Sequence, residues 1–183
     1  ITIKGGNRLG IVGSAVVDNG QVINVNYVSS LNFRIASQRI GCSNPVIEDL
    51  IDTYNNSIYN TLIVSPPGCG KTTLLRDIVR NISNGIKVLG FNGKTVGVVD
   101  ERGEIAAMYK GIPQNDVGIR TDVLDNCLKT NGIIMAIRSL SPEVIICDEI
   151  GTMNEVEALS MAFNSGVNMI LTVHGIDLDD VSR

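Results

Sequence analysis

Aromatic and metal-binding side chains are scarce in this sequence. It contains no Trp, aromatic residues make up only 4% of its 183 residues, and His174 is its one histidine. Its cysteines stand at positions 42, 69, 127 and 147, so no two of them form a CxxC pair. This pattern argues against a zinc site or a disulfide framework and favours reduced thiols, as in cytosolic proteins.

Long hydrophobic runs and a secretory signal are also absent. No run approaches the roughly 18 residues that a membrane-spanning helix needs, so the sequence predicts no transmembrane segment. Hydrophobic residues nevertheless reach 44% and charged residues only 19%, a balance typical of globular rather than disordered proteins. Glycine is abundant, at 19 residues, and together with a core of Ile, Val and Leu it favours an α/β domain.

Basic residues are the minority, since 15 Lys and Arg face 19 Asp and Glu and the net charge is −4. This sign argues against a generally basic nucleic-acid-binding protein. The charge is uneven, because residues 1–44 hold four basic residues and one acidic residue, a net charge of +3. We therefore place a domain boundary near residue 44, with a small module before it and the main domain at residues 45–183.

Short β-branched segments predict that residues 1–44 form a small antiparallel, β-rich module. Its strands are expected at residues 8–17, 21–28 and 31–36. Asn19 and Gly20 are typical of the tight turn between the first two strands. Asn44 and Pro45 then predict the N-cap and first residue of a helix that runs to about residue 54.

After residue 60 the pattern changes to alternating strands and helices. Apolar strands are predicted at residues 60–65, 95–100, 144–148 and 168–173, and helices at residues 71–83, 121–139 and 153–164. Near-continuous apolar strands separated by helices indicate a mainly parallel sheet that is covered on both faces.

The strongest chemical signal is the glycine-rich segment between the first of these strands and the helix that follows. It matches the nucleotide-binding P-loop pattern, with serine in place of the first glycine: Ser65-Pro66-Pro67-Gly68-Cys69-Gly70-Lys71-Thr72-Thr73. Gly68 and Gly70 would let backbone N–H groups surround phosphate oxygens. Lys71 would reach the β- and γ-phosphates, and the hydroxyl of Thr72 would bind Mg²⁺. A chance glycine-rich turn is the alternative, and the flanking strand and helix argue against it.

Two acids, Asp148 and Glu149, stand at the end of the strand at residues 144–148. In P-loop enzymes such a pair holds Mg²⁺ and polarises the attacking water. We therefore predict that Asp148 binds Mg²⁺, through water, and that Glu149 is the catalytic base. A solvated turn is the alternative, and the joint occurrence with the P-loop pattern favours the functional interpretation.

Further polar residues end the other strands. Asp100, Glu101 and Glu104 follow one strand, and Thr172 and His174 end another. Because ligands of parallel sheets bind at the carboxyl ends of strands, the acids could contact Mg²⁺, water or a neighbouring subunit. His174, with Thr172 as a lesser candidate, could sense a phosphate. A polar helix start and a structural histidine are the alternatives that the sequence leaves open.

Three arginines lie between or beside these acidic segments: Arg102, Arg120 and Arg138. In phosphoryl transfer, an arginine from a neighbouring subunit can stabilise the charge of the transferred group. Each arginine taken alone is typical of a protein surface. One of them would act in this way only if the protein forms a ring.

Several blocks of the sequence closely resemble the stage III sporulation protein AA family of endospore-forming bacteria. The blocks are DERGEI at residues 100–105, GIRTDVLD at 118–125, IRSLSPEV at 137–144, DEIGT at 148–152 and TVHG at 172–175. The resemblance extends from Arg8 to Gly175 and so covers nearly the whole chain. This family is similar to the ring ATPases of type II and type IV secretion and of pilus motors.

The resemblance implies a RecA-like P-loop NTPase core that binds ATP and Mg²⁺ and assembles as a ring, a hexamer. It implies an ATP-hydrolysing motor for the channel complex between mother cell and forespore. Such a motor is cytoplasmic and peripherally attached to the membrane on the mother-cell side, with membrane-embedded channel proteins as partners. The acidic box of the secretion ATPases is matched by Asp100, Glu101 and Glu104, and their histidine box by His174. Their arginines serve neighbouring active sites, and the three arginines above are the positions available for that role.

Two other functions stay open. A nucleic-acid-stimulated RecA-like ATPase is supported only by the positive charge of residues 1–44, and a nucleotide-binding scaffold would bind ATP without turnover. The chain begins with Ile1 and ends at Arg183, and we expect it to be a piece of a longer ring ATPase that is cut at both ends. Such a piece is expected to bind nucleotide while assembling or hydrolysing poorly.

Overall fold

The computed structural model describes residues 2–3, 7–35, 37–177 and 180. Its N-terminal part is a three-stranded antiparallel sheet of β1 (Thr2–Ile3), β2 (Asn7–Asp18) and β3 (Gln21–Arg34). Asn19 and Gly20 both have positive φ angles, 47° and 78°, as a two-residue turn between twisted strands requires. The predicted turn and the antiparallel character of this part are confirmed.

The separate strands expected at residues 21–28 and 31–36 are wrong, because β3 runs through both. A Cβ atom on Gly13 of β2 would lie 2.6 Å from the carbonyl oxygen of Asn26, so glycine permits a close approach here. The pairing register shifts between Val12 and Ser14, and such a bulge lets a strand bend without ending. Ala36, the last residue of the expected third strand, lies outside the described residues.

The helix expected from Asn44 to residue 54 is also wrong. The backbone N–H groups of Val46 and Ile47 both donate to the carbonyl of Ser43, so a turn begins at Ser43. A single 3₁₀ turn and a short hairpin follow: Glu48–Leu50, β4 (Ile51–Asp52) and β5 (Ser57–Ile58). Tertiary packing overrides the local helix signal, since this segment buries four apolar side chains: Ile47, Leu50, Ile51 and Ile58.

A five-stranded parallel sheet lies at the centre of the fold, in the spatial order β6-β10-β9-β7-β8. Its strands are β6 (Thr61–Ser65), β7 (Val96–Asp100), β8 (Thr121–Asp125), β9 (Val144–Cys147) and β10 (Asn168–His174). The helices are α1 (Lys71–Asn84), α2 (Lys129–Met135) and α3 (Met153–Asn164). The four predicted strands and the first and last predicted helices are confirmed, with ends that shift by at most one residue.

The helix expected at residues 121–139 is wrong in its first half. The segment Thr121–Asp125 forms β8, an edge strand that pairs with β7 along its whole length. The helix α2 starts only at Lys129, and Ala136–Leu140 continues it as a π-helical turn. Pairing with β7 satisfies the backbone groups on one side of this segment, and its β-branched Thr121 and Val123 suit a strand. Together these effects outweigh the capping signal.

Both faces of the parallel sheet are covered. One face packs against α1 and the other against α2 and α3, and successive residues of β7 and β9 point to opposite faces. The first cluster includes Leu75, Ile78, Ile82, Val98, Ile146 and Ile170, and the second Val99, Ile133, Ile145, Cys147, Leu159 and Met169. All four cysteines are free thiols, and burial raises the pKa of Cys147 to about 12. Within the described part of the chain, no helix is both long and apolar enough to cross a bilayer.

Asp77 connects the turn at Ser43 to α1. Its buried carboxylate accepts hydrogen bonds from the backbone N–H and the hydroxyl of Ser43, at 2.9 and 2.7 Å, and pairs with Arg80 at 2.8 Å. Burial alone would raise the pKa of Asp77, but the hydrogen bonds outweigh it and hold the pKa below its ordinary value of 3.8. The ionised carboxylate therefore stabilises the fold above about pH 4, and this contribution is lost as the pH falls.

Replacing Asp77 by Asn is expected to lower the free energy of unfolding at pH 7 by about 1–3 kcal/mol, because buried donors lose a charged acceptor. The variant should also lose less stability than the wild type as the pH falls below about 4. Urea unfolding at several pH values measures both effects. Asp122→Asn, at an exposed position of β8, is the matched control, and equal pH dependence of Asp77→Asn and wild type would contradict the assignment.

Candidate functional site

The carboxyl ends of the parallel strands meet at one edge of the sheet. Ser65 at the end of β6 pairs with His174 at the end of β10, and Leu171 of β10 pairs with Cys147 at the end of β9. Because β10 lies between β6 and β9, His174 comes between the glycine-rich segment and the acids that follow β9. Strand order thus brings together residues that are far apart in the sequence.

The glycine-rich segment at residues 65–73 fits an anion. Gly68 and Gly70 have φ angles of 78° and 90°, and their missing Cβ atoms would point into open space. Gly70 is the N-cap of α1, and no side chain of the described residues caps the helix there. The N–H groups of the first turn and the positive end of the helix dipole are therefore available to a negatively charged ligand.

Lys71 lies beneath this turn and is almost fully buried. Its ammonium group donates to the carbonyl oxygens of Ser65 and Pro66, at 2.7 and 3.0 Å. It also lies 3.0 Å from Nδ1 of His174. Because an ammonium group can only donate, Nδ1 is the acceptor in this contact and the ring proton is on Nε2.

Glu149 accepts from the other side of the same histidine. Its carboxylate lies 3.2 Å from Nε2 of His174 and also pairs with Arg102. Lys71, His174 and Glu149 therefore form one hydrogen-bonded series across the ends of β6, β10 and β9. Glu149 has a φ angle of 54°, a left-handed conformation that residues with a side chain rarely adopt.

Thr172 holds both acids that follow β9. Its fully buried hydroxyl donates to Oδ1 of Asp148 and accepts from the backbone N–H of Glu149 at 2.8 Å. The other oxygen of Asp148 accepts from the hydroxyl of Thr72 at 2.5 Å. The hydroxyl of Thr172, a lesser candidate for phosphate sensing in the sequence, is thus occupied by contacts that orient Asp148 and Glu149.

A hydroxyl and a carboxylate meet where Thr72 contacts Asp148, and hard oxygen ligands of this kind suit Mg²⁺. Among the described residues, no three His, Cys, Asp or Glu side chains lie close enough to hold a metal ion by themselves. Mg²⁺ is commonly bound through one or two protein ligands together with phosphate oxygens and water. The pair therefore fits Mg²⁺ that arrives with a phosphate-bearing ligand.

The acidic segment after β7 is built around Asp100. Its buried carboxylate accepts from the backbone N–H groups of Glu104, Ile105 and Ala106, at 2.8, 3.1 and 2.9 Å. Burial raises the pKa of Asp100, although these hydrogen bonds oppose the shift. Asp100 thus folds the segment that follows it, whereas the side chain of Glu101 is partly exposed and comes within 3.9 Å of Lys129.

Of the three arginines singled out in the sequence, the structure brings only Arg102 to Glu149 within the chain. Arg120 precedes β8 at the opposite edge of the sheet and donates to the carbonyl of Ser83 near the end of α1, at 2.9 Å. Arg138 is exposed in the π-helical turn that precedes β9. A role for any of them in a neighbouring active site stays a prediction.

Sequence reasoning missed two further arginines beside the acidic segment. Arg8 of β2 pairs with Glu104 at 2.8 Å and donates to the carbonyl of Arg102 at 3.0 Å. Arg76 of α1 donates to the carbonyls of Glu104 and Ser37, at 2.7 and 3.0 Å, and burial lowers the pKa of its guanidinium. The available signal was a charged residue within the apolar pattern of α1. These contacts join the N-terminal sheet to the edge that carries the site.

The family model described as "Sporulation stage III, protein AA" matches residues 1–183. Stage III sporulation protein AA of Bacillus subtilis is 47% identical over all 183 residues. The chain belongs to the stage III sporulation protein AA family. It spans 58% of the length of the Bacillus subtilis member. The family resemblance drawn from the sequence blocks is therefore confirmed.

Two solved structures have a similar fold. The match to the Legionella pneumophila ATPase DotB covers 96% of this chain and 45% of the DotB chain, with a TM-score of 0.65 and 15% sequence identity. The match to the pilus retraction motor PilT with bound ADP covers 92% of this chain and 48% of the PilT chain, with a TM-score of 0.55 and 16% sequence identity. The predicted fold class, a RecA-like core with a parallel sheet and a small antiparallel sheet before it, is confirmed.

Replacing Thr172 by Val tests how Asp148 and Glu149 are held. The change keeps the shape of the side chain but leaves a partly buried N–H and a partly buried carboxylate oxygen without their partner, so we expect a loss of about 1–3 kcal/mol in the free energy of unfolding. Thr172→Ser keeps the hydroxyl and should lose less. Urea unfolding of the three proteins measures this, and equal stability of Thr172→Val and wild type would refute the bridging role.

Proposed function

We propose that the chain is the ATP-hydrolysing core of a motor for a secretion-type channel complex in sporulation. The observation that carries this proposal is the series Lys71–His174–Glu149, which lies beside the Thr72–Asp148 pair at the mouth of the glycine-rich segment. In this proposal, the glycine-rich segment would bind phosphate, Thr72 and Asp148 would bind the metal ion, and Glu149 would act as the base. Membership of the sporulation family and a fold shared with the ATPase DotB and the pilus retraction motor PilT support the same function.

ATP binding in this proposal uses the backbone of residues 65–73. The N–H groups around Gly68 and Gly70 surround phosphate oxygens, with Ser65, Pro66, Pro67, Cys69 and Thr73 forming the rest of the turn. Lys71 neutralises charge on the β- and γ-phosphates. Thr72 and Asp148 would hold Mg²⁺, which supplies a positive charge on the phosphate oxygens as the reaction proceeds.

Hydrolysis in this proposal is in-line attack of water on the γ-phosphorus. Glu149 orients the water and takes one of its protons as the new P–O bond forms, while the bond to the β-phosphate bridging oxygen breaks and ADP leaves. His174 fixes one oxygen of Glu149 through Nε2–H and contacts Lys71 through Nδ1, so it connects the base to the phosphate-binding lysine. Arg102 neutralises part of the charge on Glu149.

Work and assembly are further parts of the proposal. A hexameric ring, in which Arg102, Arg120 or Arg138 serves a neighbouring subunit, would act on membrane-embedded channel proteins from the cytoplasmic, mother-cell side. Motion of the module at residues 1–44 against the core at residues 45–183 would transmit the work. The contacts of Arg8 with Glu104 and Arg102 lie between these two parts.

Glu149→Gln removes the carboxylate base and keeps its shape. We expect the rate of ATP hydrolysis to fall at least about 100-fold, while the dissociation constant for ATP changes little, because the phosphate-binding turn is intact. Phosphate release and equilibrium binding of a labelled nucleotide measure the two quantities. Glu157→Gln, on an exposed face of α3, is the matched control, and wild-type turnover by Glu149→Gln would disprove the assignment.

Ring formation predicts that phosphate release per subunit rises with protein concentration, in step with the size of the assembly. Sizing by light scattering beside the same assay measures this.

Single-stranded DNA or RNA is added in a parallel arm of the assay. We expect no strong stimulation of ATP hydrolysis, because the chain is acidic overall and Arg8 is paired. Strong, salt-sensitive stimulation would instead favour the nucleic-acid-dependent ATPase, and tight binding without turnover at every concentration would favour a scaffold.

A further inference from the structure

Lys129 occupies a position that local rules disfavour. It is the first residue of α2, where the helix dipole repels a positive charge. Its side chain is only 10% exposed, although lysine is rarely buried without a partner. A residue that breaks local rules in this way has a compensating role in the tertiary structure.

The compensation comes from two carboxylates and one backbone carbonyl that surround the ammonium group. The ammonium group of Lys129 pairs with Glu155 of α3 at 3.2 Å and lies 3.9 Å from Glu101 after β7. It also donates to the backbone carbonyl of Glu149 after β9. Lys129 therefore joins α2, α3 and the ends of β7 and β9 at the back of the site.

Glu155 holds the next part of the same loop. Its second oxygen accepts from the backbone N–H groups of Gly151 and Thr152, both at 2.9 Å. Burial alone would raise the pKa of Glu155, but these hydrogen bonds and Lys129 outweigh it and hold the pKa below its ordinary value. An ionised Glu155 therefore faces Lys129 at neutral pH.

Each backbone N–H group from Glu149 to Thr152 donates to a hydrogen-bond acceptor. Thr172 accepts from the N–H of Glu149 through its hydroxyl and from the N–H of Ile150 through its carbonyl, both at 2.8 Å. Glu155 holds the following two N–H groups, and Lys129 holds the carbonyl of Glu149. These contacts maintain the left-handed backbone of Glu149, which directs its carboxylate to His174 and Arg102.

We propose that Lys129, supported by Glu155, is a positioning residue for Glu149. Its ammonium group meets the backbone oxygen of Glu149, so it acts on the orientation of the base rather than on the reacting atoms. The inference rests on the proposed hydrolysis for its catalytic consequence and on the loop contacts alone for its structural consequence. The two consequences are measured separately.

The structural arm is amide hydrogen exchange by NMR on the chain without nucleotide. Lys129→Met removes the charge and keeps the length of the side chain, so we expect the amides of Glu149 and Ile150 to exchange at least about 10-fold faster as the loop opens locally. Lys94→Met is the matched control, because Lys94 also pairs with a glutamate, Glu143, but at the opposite edge of the sheet. Unchanged exchange in Lys129→Met, or the same change in both variants, would overturn the proposal.

The catalytic arm compares turnover with nucleotide affinity. We expect Lys129→Met to lower kcat at least about 10-fold while the dissociation constant for ATP stays within about 3-fold, since the loss falls on the transition state and not on ground-state binding. Lys129→Arg should recover part of the rate, and Lys94→Met should keep it. A wild-type kcat in Lys129→Met would refute the positioning role.

A double variant separates positioning from a general loss of stability. If Lys129 acts through Glu149, then adding Lys129→Met to Glu149→Gln lowers the residual rate little, because residues that act as a unit are not additive. An additive loss would contradict the proposal. If Lys129→Met folds poorly, Glu155→Gln provides a second single variant. For this variant we expect a smaller loss of kcat and faster amide exchange at Gly151 and Thr152. An inactive wild type would refute the proposed function, and the exchange arm would still decide the role of Lys129.

Discussion

The parallel pairing of β10 between β6 and β9 is the constraint on which the site depends. Thr172 and His174 are two residues apart on β10 and therefore point to the same side of the strand. One holds Asp148 and Glu149, and the other joins Glu149 to Lys71. A slip of β10 by one residue would turn both side chains to the other face, and their contacts with Asp148, Glu149 and Lys71 would be lost.

The two edges of the sheet have different tasks. The carboxyl edge concentrates unusual backbone and buried charge, namely the left-handed Glu149 and the buried Asp100 and Lys129. The amino edge is held by ordinary structural contacts. There, Arg120 contacts the last turn of α1, and Glu143 accepts from Lys94 and from the backbone of Thr95. The left-handed backbone of Glu149 thus lies at the edge that carries the candidate site, while the contacts at the other edge contribute stability.

The features that short-range sequence patterns determine were predicted correctly. β6, β9 and β10 are apolar runs and α1 follows a glycine-rich turn, so their limits were predicted to within one residue. The helices predicted after Asn44 and Thr121 were wrong. Packing outweighed the capping signal in the first segment, and pairing with β7 outweighed it in the second. The strand order, and with it the place of His174, depends on pairing between distant segments. The role of Lys129 was not predicted, because a contact with a backbone carbonyl does not depend on which residue carries that carbonyl.

The long hairpin of β2 and β3 has a mechanical consequence. Arg8 at its base contacts Glu104 and the carbonyl of Arg102, while Asn19 and Gly20 form its far tip. At about 3.3 Å per residue the tip lies roughly 33 Å from this base, so a tilt of about 10° at Arg8 displaces the tip by about 6 Å. A small tilt of the hairpin at its contact with the acidic segment would therefore become a large displacement at the tip.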